Sequence, residues 1–326
     1  MSTTVRWGVL GTAKIAVDRV IPALHNVPEA TLYAVASRDA ARARQFAERS
    51  GASVSYGSYR DLIEDDRVDA IYVPLPNALH AQWAHLALAA GKPVLCEKPL
   101  TTSAAATAEL AGFAETKDVL LAEGFMYRHH PTTARIAGLV ASGAIGTPLV
   151  ARGALSFPMT DPAGIRASPA LGGGALFDLG CYVVDALCRL YGGRAGQAAG
   201  YRLLGNTGAD AHVAAVLSFP GGRLGVLDCS FRLPWLESVF EIRGDAGSIR
   251  APHAFNPGRS ASTVTLLQPG GKSTQFDVPG CDMFATMFGA FSRAVLGAEP
   301  YPFPARLSVD AAHTTALLSA LPASRG

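Results

Sequence analysis

The alternation of short apolar runs with amphipathic stretches over residues 1–122 is the strongest constraint on the fold. VRWGVLG, TLYAVAS, DAIYVPL, PVLCEKP and VLLAEGF read as buried strands, and segments such as DAARARQFAERSG and NALHAQWAHLALAAG between them read as helices. A strand, a helix and another strand at this pitch require crossover connections, so the strands run parallel and helices cover both faces of the sheet.

After about residue 123 the rhythm changes. GTPLVARGALSF, AHVAAVLSFPGGRLGVLDCSFRL, VFEIRGDAGSIR and STVTLLQPGGKSTQFDV are strand-like segments joined only by Gly or Pro turns, FPGGRL and GDAG being the clearest. This half predicts a large, open, mostly antiparallel sheet, with helices near 131–142, 177–191, 283–297 and 305–320. The fold class is therefore α/β followed by α+β. Two domains are expected, 1–122 binding a dinucleotide and 123–326 binding substrate and mediating oligomerisation, with the 305–320 helix packing back on the first.

Composition excludes several function classes. The formal net charge is +2 with no long basic run, so no nucleic-acid footprint is present. MSTTVRWGVLG lacks the layout of an export signal, and the longest apolar runs are interrupted by Gly, Pro, Asp or Lys before the length of a spanning helix. A cytoplasmic protein without a membrane partner is expected. Five cysteines lie scattered without a CxxC pair and the eight histidines do not cluster with them, which predicts reduced thiols and no metal.

VRWGVLGTAKIA places a buried strand ahead of Gly11, Thr12, Ala13, Lys14, Ile15 and Ala16 at the start of a helix. Relative to G-x-G-x-x-G/A, alanine stands at the second and third small positions. The first glycine makes the tight turn, small residues let the backbone approach a pyrophosphate, and the helix N-terminus supplies N–H donors. Cofactor choice is read at the end of the second strand, where Ser37 and Arg38 stand. A hydroxyl and a guanidinium suit a 2′-phosphate, so NADP is expected; Asp39 is read as an acidic residue in the first turn of the next helix.

LCEKPLTT puts Lys98 at the carboxyl end of a buried strand, the edge outside which ligands of open α/β sheets bind. LGGGALFDLGCYVVD opens an apolar helix with three glycines and carries Asp178 and Tyr182 at i and i+4, on one face. It is not a nucleoside-triphosphate loop, because the G-K-[ST] ending is absent.

Taken in order, GVLGTAKIA, ASR, VPLPNALHAQWAHLALAAGKPVLCEKPLTT, GFMYRHHP and IRASPALGGGALFDLGCYVVD resemble the Gfo/Idh/MocA oxidoreductases over residues 5–190. The resemblance implies a Rossmann domain and assigns Glu97, Lys98 and Pro99 to the E-K-P motif, with the lysine beside the nicotinamide and a cis bond before the proline. It implies that Pro74, Leu75, Asn77 and His80 contact the cofactor after the fourth strand, and that Arg166 belongs to NADP-linked members. Tyr182 stands where many inositol and sugar dehydrogenases have histidine, as in glucose-fructose oxidoreductase, dihydrodiol dehydrogenases and 3-ketoreductases of nucleotide-deoxysugars.

On this basis Tyr182 is the proton donor to a carbonyl reduced by hydride, with Lys98 assisting. Asp178 holds Lys98 or a substrate hydroxyl. One of His129 and His130 faces the site while the other packs at the domain junction. Phe157, Trp235 and His253 select the substrate. The leading expectation is an NADP-dependent oxidoreductase interconverting a secondary alcohol and a ketone on a sugar-like ring, including nucleotide-linked sugars. The alternatives are a trans-dihydrodiol or aldose dehydrogenase and, in another class, a non-catalytic NADP-dependent regulator, against which the intact Lys98 and Tyr182 argue. A homodimer or homotetramer is expected, because the open sheet needs its outer face covered.

Overall fold

The computed structural model describes residues 4 to 325, which form two compact units. The first comprises the chain up to Met126 together with Asp282–Val309. Its sheet contains β1 (Val5–Leu10), β2 (Ala30–Ala36), β3 (Val54–Tyr56), β4 (Ala70–Val73), β5 (Val94–Cys96) and β6 (Leu121–Glu123), in the order β3-β2-β1-β4-β5-β6. Every pairing is parallel. The central strands are apolar on both faces because helices cover both; all four residues of β4 are buried.

Helices α1 (Ile21–Leu24), α2 (Ala40–Ser50), α3 (Tyr59–Ile63), α4 (His80–Ala89) and α5 (Ala104–Lys117) connect the strands. The sequence reading omits β3, whose three half-buried residues at the sheet edge carry too little hydrophobic pattern to stand out.

The expected boundary after residue 122 assigns everything downstream to the second domain; the structure places Asp282–Val309 with the first unit. Helix α8 (Met283–Val295, the eighth in chain order) packs there because the wholly buried Trp7 needs both a ring contact and an acceptor. Its indole N–H donates to Ser292 Oγ at 3.1 Å, and its ring lies 4.8 Å from Phe288 and 5.2 Å from Phe291. Pro304 bridges Ala122 and so covers the edge strand β6. The expected 305–320 helix is divided: α9 (Ser308–Ser319) begins with the first unit but belongs to the second from Asp310 onward.

The second unit, Tyr127–Cys281 with the chain from Asp310, holds a nine-stranded sheet. Its strands are β7 (Pro148–Ser156), β8 (Gln197–Leu204), β9 (Asp210–Phe219), β10 (Arg223–Ser230), β11 (Glu237–Gly244), β12 (Ser248–Ala251), β13 (Ser262–Gln268), β14 (Lys272–Val278) and β15 (Ala323–Arg325). Their order is β14-β13-β12-β11-β7-β10-β9-β8-β15, antiparallel except for β7 with β10 and β8 with β15. Helix α6 (Pro131–Ala141) precedes the sheet, and α7 (Cys181–Tyr191) follows β7.

Two strand glycines let α7 lie directly on the sheet: a Cβ at Gly153 would stand 2.4 Å from Val183 and one at Gly225 2.8 Å from Leu187. Pro169–Tyr191 is a 23-residue stretch apolar enough by length and composition to cross a membrane, contrary to the expectation that every apolar run is interrupted too early. It is 72% buried within the protein, so its side chains already have an apolar environment. None of the five cysteines forms a disulfide, and burial pushes the Cys188 thiol up to about 12.

Candidate active site

In the first unit β1 is followed directly by Gly11, whose φ of +95° is open to glycine and strained for other residues. Its N–H donates to Ala36 O at 2.8 Å, and a Cβ there would lie 2.9 Å from Leu75 and 3.6 Å from the Tyr59 hydroxyl. Thr12, Ala13 and Ile15 are half-buried beyond it. Lys14 points outward, 89% exposed, and pairs with Asp18 at 2.7 Å. The following helix opens as a π turn over Ala16–Val20, with Ile21 N–H reaching Ala16 O. Pro22, one residue later, has no N–H for an i−4 bond and its ring crowds that carbonyl, which the wider turn accommodates.

At the end of β2 the Ser37 side chain is buried and its Oγ accepts from Asp39 N–H at 3.3 Å. Asp39 is the N-cap of α2, accepting from Ala41 N at 2.8 Å and Arg42 N at 3.0 Å, which lowers its carboxyl below the usual range. One oxygen of this carboxylate is thereby committed to the start of α2. Arg38 is exposed and hydrogen-bonds Tyr59, whose phenol is raised by burial despite that cation. Arg42, in the first turn of α2, also acts on Tyr59, so a second guanidinium lies near the same phenol. Sequence reading missed both Tyr59 and Arg42, since neither belongs to a local motif.

Pro74 and Leu75 are buried after β4, and Asn77 begins a short 3₁₀ turn. His80 is fully buried, with Nε2 2.7 Å from Leu75 O and Nδ1 2.8 Å from Pro99 O. Both ring nitrogens are committed to the main chain, so His80 ties the turn after β4 to the segment after β5. Burial, foremost, lowers its pKa. Glu97 accepts from the Tyr72 hydroxyl at 2.7 Å and from Lys98 N–H at 3.3 Å; the Lys98–Pro99 peptide is cis. Glu123 accepts from Leu100 N at 2.8 Å. Lys98 is thus half-buried on a segment whose backbone is held from both sides.

In the second unit the glycine run has a packing origin. Gly172 closes a short turn at φ 76°, Gly173 N donates to Ser168 O at 2.8 Å and Gly174 N to Arg166 O at 2.9 Å. A Cβ at Gly173 would sit 2.5 Å from Ile165 O and 2.6 Å from Arg166 O; one at Gly174 would sit 2.6 Å from Asp210 Oδ1. The other Asp210 oxygen accepts from Leu176 N at 2.6 Å, capping the helix start from β9. Because the obstacle at Gly173 is backbone, Gly173→Ala should cost about 2 to 3 kcal/mol of stability, measured by denaturant unfolding.

That turn delivers Arg166 to Asp178: Nε donates to Oδ2 at 2.5 Å, and the guanidinium lies 5.3 Å above the Phe157 ring. Phe157 in turn meets Phe231 at a tilt of 56° and 5.5 Å, while Trp235 is 61% exposed nearby in sequence and His253, also exposed, bridges Ser238. Asp178 sits in a π turn, Leu176–Gly180, where a Cβ on Gly180 would crowd Cys229 Sγ at 3.1 Å. Tyr182, in the first turn of α7, is 7% exposed among Tyr127 and Phe255. His130 caps α6, its Nδ1 accepting from Thr132 N at 3.1 Å, and His129 is half-buried. Among the described residues no three His, Cys, Asp or Glu side chains gather in a metal-binding cluster.

Residues 5–125 match the model of the oxidoreductase family with an NAD-binding Rossmann fold, and residues 133–250 match the GFO/IDH/MocA C-terminal domain. The chain belongs to the GFO/IDH/MocA family. It is similar to D-xylose 1-dehydrogenase (NADP(+)) 2 of Haloferax volcanii, 39% identical over 89% of this chain and 88% of that protein. It is also similar to dTDP-3,4-didehydro-2,6-dideoxy-alpha-D-glucose 3-reductase of Saccharopolyspora spinosa, 36% identical over 90% and 89%. A 3-ketoreductase from Actinomadura kijaniata, solved with NADP and TDP-benzene, superposes with a TM-score of 0.91 at 32% identity over 99% of both chains. In this GFO/IDH/MocA member the Gly11 turn and the Arg38–Tyr59 pair both lie within residues 5–125, the part that matches the Rossmann model. The parallel sheet and the mixed, mostly antiparallel sheet are the two expected architectures.

Proposed function

We propose that this NADP-dependent oxidoreductase interconverts a secondary alcohol and a ketone on a nucleotide-linked sugar, in the manner of a 3-ketoreductase. The observation carrying the cofactor choice is the exposed Arg38 beside Tyr59, with Asp39 withdrawn as an N-cap. The residues present fit NADP: Gly11 makes the tight strand-to-helix turn, packed against Leu75 where a Cβ would not fit, and Ser37, Arg38 and Arg42 supply a hydroxyl and two cations for a 2′-phosphate. Lys14, paired with Asp18 on the surface, contributes to this end through its main chain.

Bound NADPH supplies the hydride. The Tyr182 hydroxyl gives its proton to the carbonyl oxygen as charge develops there. The Lys98 ammonium stabilises that charge, and Glu97, fixed by Tyr72, anchors the lysine's backbone. Asp178, paired with Arg166, orients substrate hydroxyls. Phe157, Trp235 and His253 select the substrate. Support for the Lys98 and Tyr182 roles comes from the A. kijaniata 3-ketoreductase. Its lysine and tyrosine variants, solved with TDP-benzene and NADP, alter residues separated by the same number of positions as Lys98 and Tyr182.

The test is a cofactor-absorbance assay of the purified protein, with NADPH and a dTDP-linked 3-keto sugar in one arm and NADP⁺ and D-xylose in the other. Turnover in the first arm is the expected result. Turnover in the second alone selects aldose oxidation, the reading favoured by the Haloferax relative.

A cytoplasmic homodimer or homotetramer completes this reading. Tyr201, Val216 and Leu224 project 45%, 44% and 39% exposed from β8, β9 and β10, an apolar surface suited to a second copy. Light scattering coupled to gel filtration should give at least twice the monomer mass; a monomer would sink this part of the proposal.

A further inference from the structure

Tyr127 is attached to helix α7 at two points. Its ring lies 5.8 Å from the Tyr182 ring at 57°, and its hydroxyl donates a short hydrogen bond to Asp185 Oδ2. Tyr182 and Asp185 are three residues apart in α7 and therefore share a face. The adjacent Arg128 donates to the same carboxylate through Nε at 3.0 Å and Nη2 at 2.5 Å, with side-chain exposures of 1% and 0% for the pair. Phe255 closes the other side, 5.5 Å from Tyr127 and 6.3 Å from Tyr182.

A buried carboxylate is costly to maintain, and an apolar side chain at 185 would pack α7 at lower cost. A carboxylate holding a tyrosine and a fork-shaped guanidinium from one short turn, Met126–His129, fixes orientation in a way that apolar packing cannot. Burial, foremost, and then the Asp185 charge push the Tyr127 phenol well above its ordinary value, so its proton stays on the hydrogen bond to Asp185.

We infer that Tyr127, locked by Asp185 and Arg128, is a positioning residue that holds the Tyr182 ring in its reactive orientation. This rests on the reading of Tyr182 as the proton donor. Tyr127→Phe keeps the ring and the ion pair and removes only the tether.

The experiment is a double-mutant cycle in steady-state kinetics with NADPH and the dTDP-linked 3-keto sugar. Tyr127→Phe in the wild-type background should lower kcat about tenfold, with KM and the NADPH dissociation constant unchanged, because a small displacement of a reacting group is felt in kcat. In the Tyr182→Phe background the same substitution should change the residual rate by less than about twofold, since the group it orients is gone. Phe255→Leu, which removes the opposite ring and neither charge, should show the same pattern and serves should Tyr127→Phe fold poorly. Equal losses in both backgrounds, or wild-type kcat in Tyr127→Phe, overturn the positioning role alone. Unchanged kcat in Tyr182→Phe overturns the proton-donor reading on which it rests.

Discussion

Tyr182→Phe lowers kcat by about three orders of magnitude and leaves the NADPH dissociation constant within a factor of about two. The substitution deletes one hydroxyl from a ring that is 7% exposed and packed on Tyr127 and Phe255, so α7 has no cause to move. What disappears is the group that protonates the carbonyl oxygen as hydride arrives, a contribution of about 10² to 10⁴ when a positioned acid is removed. Stopped-flow measurement of NADPH consumption isolates this from product release. A loss confined to KM would assign Tyr182 to binding. Lys98→Ala should lower kcat by a comparable factor through lost charge stabilisation.

Arg38→Ala raises the NADPH dissociation constant by about 30- to 100-fold, corresponding to a charged hydrogen-bond contribution of about 2 to 3 kcal/mol, and leaves NADH within about twofold. The asymmetry is the informative part. A 2′-phosphate engages the guanidinium and a ribose hydroxyl gives it no charge to meet. Asp39 is engaged as the N-cap, one of its oxygens accepting from the second and third N–H groups of α2. Arg42→Ala should weaken NADPH by a smaller factor in the same direction, as it approaches Tyr59 from the first turn of α2. Isothermal titration with both cofactors on both variants checks this; equal losses of NADPH and NADH in Arg38→Ala would refute 2′-phosphate recognition.

The dinucleotide turn, the five strands β1, β2, β4, β5 and β6 with their parallel pairing, and the hairpins at FPGGRL and GDAG were readable because each is a local pattern. A strand-to-helix glycine, a buried apolar run or a paired-glycine turn carries its reason within a few residues. Lys98 was readable as chemistry because it ends a buried strand at the carboxyl edge of a parallel sheet. Tyr182 was readable through the family resemblance and its helical spacing to Asp178.

Other features have causes far away in the chain. The three glycines before Asp178 suggest room for a nicotinamide, yet two of them are required by the Arg166 carbonyl and by Asp210, which lies on β9. Asp178 was expected to hold Lys98 or a substrate hydroxyl and is found bonded to Arg166, a partner that only the folded turn brings close. His80 resembles a cofactor contact but spends both nitrogens on carbonyls of Leu75 and Pro99. Trp7 draws α8 into the first unit by offering a buried indole N–H that Ser292 accepts, across nearly the whole length of the chain.

Sequence alone therefore determined the class of fold and the preference for a phosphorylated dinucleotide, and it nominated Lys98 and Tyr182. The fold class and cofactor preference follow from short-range periodicity and side-chain type, and Tyr182 from the family resemblance. Tertiary structure alone decided which carboxylates are free to act and which are consumed as caps or in ion pairs. It also decided which helix belongs to which unit, that Tyr127 and Phe255 pack on Tyr182, and that Asp185 holds Tyr127 and Arg128. Burial and hydrogen-bond satisfaction are properties of the space around a group, and residues distant in the chain supply that space.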